Sequence, residues 1–438
     1  MSHLAHTTEF WLTYKEKIKN LSEKIVEAQK PIRVLDAIKW DSSIETSFFE
    51  HKQHRLPKID ADYYQKIPLG FDPVKKTEEF KEISAEISRV LGETDEVGKL
   101  LIRMAQEYID VVQMLAARGT PRFWDFSKKL YGSPKDQFYE DNNTVLGQGR
   151  LLYSILQNLE GKSLGQEYPK DISSEDAVKI LRERFSRSFL KGRIEVVLSD
   201  GIVADAAAGS DVIKIKDGAR FSLKDIDIFE VHEGWVHIAT TANGKSQKVA
   251  KWLSKGPPRV TSTQEGLAIL MEIFTFSTYP RRARAINDRI LGVDKAEDGA
   301  DFNDVYEFYL TEGYSEPEAF RNSMRVFRGG VITGGAPFTK DISYCRGFIE
   351  NYNFIRTAIR KGRPELIPFM FAGKLHIEDV PLLYAKSIEG VVDAPLFLPP
   401  HFQDLNGLAV WMSFSNFLNT VDLKRVQEHY DTLFKKYL

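Results

Sequence analysis

The chain has almost no cysteine. Its single thiol, Cys345, has no second thiol to pair with, which excludes a disulfide-stapled secreted scaffold and fits a reducing cytoplasm. Neither sign of charge is in excess: 60 basic against 62 acidic side chains leave a net charge of -2. Such a field is too weak to favour nucleic acid or an anionic membrane as a partner. No apolar run reaches membrane length, and Met1-Ser2-His3-Leu4-Ala5-His6 carries neither the basic nor the apolar segment of a secretory signal. A cytoplasmic location is therefore expected. Repeats and low-complexity runs are also missing. With 42% hydrophobic residues, the 438-residue chain is globular and long enough for two or three domains or one elaborated core.

Apolar residues at helical spacing predict helices over Phe10 to Ala28, Thr77 to Leu91, Asp95 to Ala117 and Ser174 to Leu190. Residues 1–190 thus read as a mainly helical N-terminal region. Trp40, Phe48, Phe49, Tyr63 and Tyr64 lie in the connection after the first helix and are expected to pack in the core rather than line a groove. The texture changes at Arg193 to Asp200, a short strand. In Asp211 to Lys216, Ile213 and Ile215 share one face, the period-two pattern of a half-buried strand. A helix opens at Ser222, with Asp225 three residues on as an approximate capping box. Residues 191–438 read as the catalytic region, which gives an α+β, mainly helical chain.

That helix carries His232-Glu233-Gly234-Trp235-Val236-His237, and Gln264-Glu265-Gly266-Leu267-Ala268 follows on a second helix. Two imidazoles and a carboxylate suit Zn2+ with a coordination position left open for water. Glu233, beside the first histidine, is placed as general base towards that water. The spacing is unusual. At about 100° per residue, five residues on a regular α-helix put His232 and His237 roughly 140° apart, too far to share an ion. A π-bulge brings them to one side, and Gly234 is a candidate for easing it. Each element also has an ordinary explanation. Glu233 and His237 form an i, i+4 pair, and Ser262-x-x-Glu265 is a capping box. The combination of strand, histidine helix, loop and a second helix with a carboxylate near its start is what favours the metal, in the order that gluzincin-type peptidases use. Glu272, two turns beyond Glu265, is a candidate for orienting a ligand histidine.

Thr261 to Ala268 resembles the signature of the bacterial proteins called flavohaemoglobin expression-modulating QEGLA-motif proteins. These are similar to the microtubule-associated tyrosine carboxypeptidases, which combine an HExxxH helix with an EGLA-containing helix. The likeness runs from about Arg193 to Glu350 and includes Val326-Phe327-Arg328-Gly329-Gly330 and Phe338 to Tyr344. The resemblance implies a gluzincin-like zinc metallopeptidase core, with zinc on His232, His237 and Glu265, Glu233 catalytic, and release of a C-terminal residue from a peptide or protein. The eukaryotic members act on tubulin and have extra regions for microtubules. No strongly basic extension of that sort is present, so tubulin specificity is not carried over.

A carboxypeptidase must hold a terminal carboxylate. Arg328, at the end of a cationic helix face with Arg321 and Arg325, and Lys340, after the loop Gly334 to Pro337, suit that task by charge-assisted hydrogen bonding. Thr339 is expected to cap the helix bearing Lys340, with free amides at its start. Tyr344, one turn on, is a candidate for hydrogen-bonding the substrate or a developing oxyanion. Two other readings fit the same motif. One is an aminopeptidase or dipeptidyl-peptidase, because the metal motif also resembles that of dipeptidyl-peptidase III; the other is a non-catalytic zinc-binding regulator.

Overall fold

Several helix starts in this chain are set by side chains that satisfy the first free amides. Asp72 accepts from the amides of Val74 and Lys75 to open the helix Pro73–Leu91, and Asp95 accepts from Gly98 to open Glu96–Ala116. Further on, Ser222 and Asp225 form a full capping box before Leu223–Phe229. The computed structural model describes residues 2–53, 55–139, 142–159, 168–202 and 204–437. Among these residues no helix is long and apolar enough to cross a membrane.

Among the described residues the architecture is mainly helical with two small sheets. Strand β1 (Ile172–Ser173) pairs antiparallel with β5 (Arg220–Phe221). Strands β2 (Glu195–Ser199), β3 (Ala206–Ala208) and β4 (Val212–Lys216) form a second sheet in the order β2-β4-β3, parallel between β2 and β4 and antiparallel between β3 and β4. Ile213 and Ile215 are fully buried, as the alternation in β4 requires. They pack with Leu181 and Phe185 of the helix Ser174–Ser186 and with Ile226 and Ile238 around the histidine segment.

The largest core joins the two ends of the chain. Ile18, Phe80, Leu101 and Tyr108 from the first helices pack with Val236, Leu267, Leu270 and Met370. A second core gathers Trp40, Phe48 and Tyr64 with Phe302, Phe320 and Phe327. The early aromatics are therefore core. Trp40 Nε1 donates to the Tyr64 hydroxyl (2.7 Å), which also accepts from the Gly329 amide at 2.6 Å.

The helix Val260–Phe274, which carries Glu265, is anchored at its first turn. Arg259 pairs with Asp379 and lies 3.5 Å from Glu107. Burial pushes the Glu107 carboxyl up to about 7, against the opposing pull of Arg259 and Arg103. The folded state therefore holds this proton more tightly than the unfolded chain. Its stabilising contribution is complete below the ordinary carboxylate pKa and is lost as pH rises through 7. Melting measured from pH 5 to 8 should show stability falling by roughly 2 kcal/mol from this group, and Glu107→Gln should remove that part of the slope.

Candidate active site

Between Leu223–Phe229 and Ala239–Ser246, the segment Glu230–Ile238 winds as a π-helix. Its wider turn brings the five-residue histidine spacing back to one side. The His232 and His237 rings stand 4.9 Å apart. Gly234 has a packing reason to be glycine: a Cβ there would lie 2.4 Å from Phe185 Cε1, so its bareness lets the helix Ser174–Ser186 approach.

Glu265 reaches this pair from the next helix. Its Oε2 lies 3.4 Å from His232 Nε2 and 3.6 Å from His237 Nε2. Ligand atoms at Zn–N and Zn–O distances of about 2.0–2.1 Å in tetrahedral array sit about 3.4 Å from one another, so the three side chains fit a zinc ion. The same oxygen is buried and has no hydrogen-bond partner among the described residues, an orphaned acceptor that a cation would satisfy. Ser262 does not cap the helix, which begins earlier at Val260. The capping-box explanation of Glu265 therefore fails.

The electrostatics suit a cation. Burial alone would raise Glu265, yet Lys340 and the two imidazoles hold it well below the usual carboxylate range. His232 is buried, which would lower its pKa, but Glu265 and Glu272 raise it to about 10. That shift registers the negative potential these carboxylates place on the imidazole. Glu272 Oε1 sits 2.8 Å from His232 Nδ1. It is itself fixed by Arg282, whose Nη2 lies at 3.1 Å. A carboxylate on the far nitrogen sets tautomer and ring orientation. Glu272→Gln should weaken zinc affinity by about 10- to 100-fold, as read by competition with a fluorescent chelator; unchanged affinity would remove Glu272 from the account.

The Gln264-Glu265-Gly266-Leu267-Ala268 segment combines tethering, close helix packing and core burial. Gln264 Oε1 accepts from Thr240 Oγ1 and from Lys374 Nζ, both at 2.8 Å, and Lys374 also donates to the His237 carbonyl at 3.1 Å. Gln264 thus ties its helix to the histidine segment. Gly266 crosses the helix Ser343–Arg360 at Gly347, and a methyl on Gly266 would fall 1.9 Å from the Gly347 carbonyl carbon. Leu267 and Ala268 are fully buried.

Glu233 stands beside the triad with Oε2 accepting from the Ala208 amide of β3 at 2.7 Å. It opens on a cleft of about 540 Å³ whose lining includes His232, Glu233, Tyr344 and five arginines, Arg281, Arg282, Arg289, Arg321 and Arg325. Arg325 holds Asp341 through two hydrogen bonds of 2.7 Å. Arg289 stacks over the Tyr344 ring at 5.1 Å, and its buried Nε has no hydrogen-bond partner among the described residues.

The remaining named residues fall in different places. Lys340 Nζ lies 3.3 Å from Glu265 Oε1 and 5.6 Å from the Tyr344 ring, so it adjoins the triad. Although burial acts against it, Glu265 keeps this ammonium charged. Arg328 is buried over the Phe338 ring and does not line the cleft; burial, with Arg325 close by, lowers its pKa to about 10. Thr339 caps no helix: it starts a short 3-10 turn, and its amide donates to Ser127 Oγ at 2.9 Å. The Thr339 amide itself is therefore not free to meet an anion. Arg282, Arg289, Lys374 and the Ala208 amide escaped sequence reasoning. Arg282 alone left a trace, in the run Arg281-Arg282-Ala283-Arg284.

A largely buried three-residue set that could hold a metal, with an adjacent carboxylate and a cationic cleft, is the equipment for metal-assisted hydrolysis of a substrate bearing negative charge. No curated protein matches this sequence. The family model described as microtubule-associated tyrosine carboxypeptidase matches residues 46–420, a stretch that contains every candidate site residue named above.

Proposed function

The chain belongs to the microtubule-associated tyrosine carboxypeptidase family and is a metallopeptidase of carboxypeptidase type; on that premise we propose that it uses zinc, held by His232, His237 and Glu265, to release the C-terminal residue of a peptide or protein. Within the family, the Gln264 to Ala268 segment supports reading the chain as a relative of the bacterial QEGLA-motif proteins. The observation that carries the zinc assignment is the orphaned, buried Glu265 Oε2 between the two Nε2 atoms.

When bound, the metal supplies Lewis acidity, polarising the scissile carbonyl and making water acidic enough to be deprotonated near neutral pH. The chain supplies the rest. Glu233 has Oε2 engaged by the Ala208 amide, which leaves Oε1 to take the proton of the attacking water and to deliver it to the leaving amine. Tyr344, on the cleft wall, donates to the oxygen on which charge develops. Lys340 balances Glu265 and keeps it ionised.

The substrate's terminal carboxylate falls to the cleft arginines. Arg325 is committed to Asp341 and Arg282 to Glu272, whereas Arg289 offers an unsatisfied buried Nε next to Tyr344. We assign the carboxylate to Arg289 rather than to Arg328, which lies off the cleft. Arg289→Met should raise KM by about tenfold to a hundredfold, with a smaller change in kcat.

Peptides of one sequence, carrying either a free or an amidated C-terminus and either a free or an acetylated N-terminus, test the direction. Cleavage should require the free carboxyl group and ignore the amino end. The reverse dependence would favour an aminopeptidase, and stoichiometric zinc with no cleavage of any free C-terminus would favour a regulator.

A further inference from the structure

The helix Leu423–Tyr437 lies beyond the family-matched stretch, and every residue from Asn419 to Lys436 is exposed. Leu423, Tyr430 and Phe434 are 64%, 50% and 57% exposed. An uncovered helix of this length is marginal in water. Its apolar residues are nevertheless ordered: Leu423, Val426, Tyr430 and Leu433 alternate in steps of three and four, the a and d positions of two heptads. The preceding helix, Asn406–Leu418, presents Trp411, Phe414, Phe417 and Leu418 next to it in sequence, again exposed.

We propose that this helix pairs antiparallel with the same helix of a second copy of the chain. In an antiparallel pair each a residue meets a d residue. Leu423 then faces Leu433 of the second copy, and Val426 faces Tyr430. The flanking g positions follow from that register: Asp422 meets Lys436 of the second copy, twice by the two-fold symmetry, and His429 meets His429. A parallel pair instead sets Asp422 against Gln427 and His429 against Phe434, with no opposite charges joined. Charge complementarity therefore selects both the partner, a second copy, and the antiparallel direction. A membrane surface fits less well, because Lys424, Arg425, Lys435 and Lys436 are mixed with Asp422, Glu428 and Asp431 rather than forming a basic face.

Sedimentation equilibrium of the full-length chain tests this. The protein should show a concentration-dependent monomer–dimer equilibrium. Lys436→Glu places like charges at both flanks and should weaken the dimer by about tenfold. Adding Asp422→Lys in the same chain should restore it, even though Asp422 also caps the helix by accepting from the Arg425 amide at 3.3 Å. Tyr430→Glu should leave a monomer with unchanged peptidase activity, since the site lies on other elements. A monomer at all concentrations, as folding of the helix back on its own chain would give, overturns the proposal. So does a dimer indifferent to Tyr430→Glu, or a charge swap that fails to restore association.

Discussion

Glu233→Gln should lower turnover by about a thousandfold while the metal stays bound. The carboxylate is next to His232, a candidate metal ligand, in sequence but is not one of the three converging groups. One of its oxygens is fixed by the Ala208 amide, so the amide side chain of glutamine keeps a carbonyl acceptor in place and the local structure survives. What disappears is the ability to take a proton and return it. Because the defect lies in proton transfer, kcat should fall with little change in KM. Zinc content by elemental analysis should match that of the unaltered protein. Turnover near the original level in the glutamine protein would remove Glu233 from the mechanism.

Gly266→Ala should destabilise the protein by about 3 kcal/mol or more and cost it metal as well. The Cβ would meet the Gly347 carbonyl carbon at 1.9 Å, and one on Gly347 would meet the Ser262 carbonyl oxygen at 1.7 Å. Backbone lies on both sides, so no side chain can swing away. The two helices must separate, and Glu265, adjacent to Gly266, moves with them. Its Oε2 now sits 3.4 and 3.6 Å from the two imidazoles, a fit that a shift of about 1 Å destroys. Urea denaturation read beside zinc stoichiometry measures both effects. An alanine protein with unchanged midpoint and full zinc would mean that this crossing is looser than described.

The triad was legible because its chemistry is local: residue type, spacing and the order of two helices specify it. Even the π-helix was legible, since five-residue spacing on an α-helix separates the histidines too far. The mainly helical fold, with a small sheet before the histidine helix, likewise follows from periodicity. What depends on distant elements was hidden. Strand β3 is three alanines with no polar alternation to announce it, yet its Ala208 amide holds Glu233. Gly234 looked like a device for bending the helix, whereas the constraint comes from Phe185, almost fifty residues earlier in the chain. Thr339 had the composition of an N-cap, and only the fold reveals that Ser127 occupies its amide. The cationic cleft joins arginines from the helices Pro280–Glu297 and Glu316–Phe327, a convergence that no spacing in either segment encodes.

One zinc ion on His232, His237 and Glu265 is proposed to drive release of a C-terminal residue. The most direct test strips the purified chain with a chelator, returns zinc in fractions, and follows a free-C-terminus peptide library by mass spectrometry at each step. Loss of single terminal residues should rise in proportion to bound zinc and saturate at one ion per chain, with a Glu265→Ala protein taking up no ion at the same concentrations. Cleavage that persists in the stripped chain, or zinc bound with full stoichiometry by the Glu265→Ala protein, would contradict it.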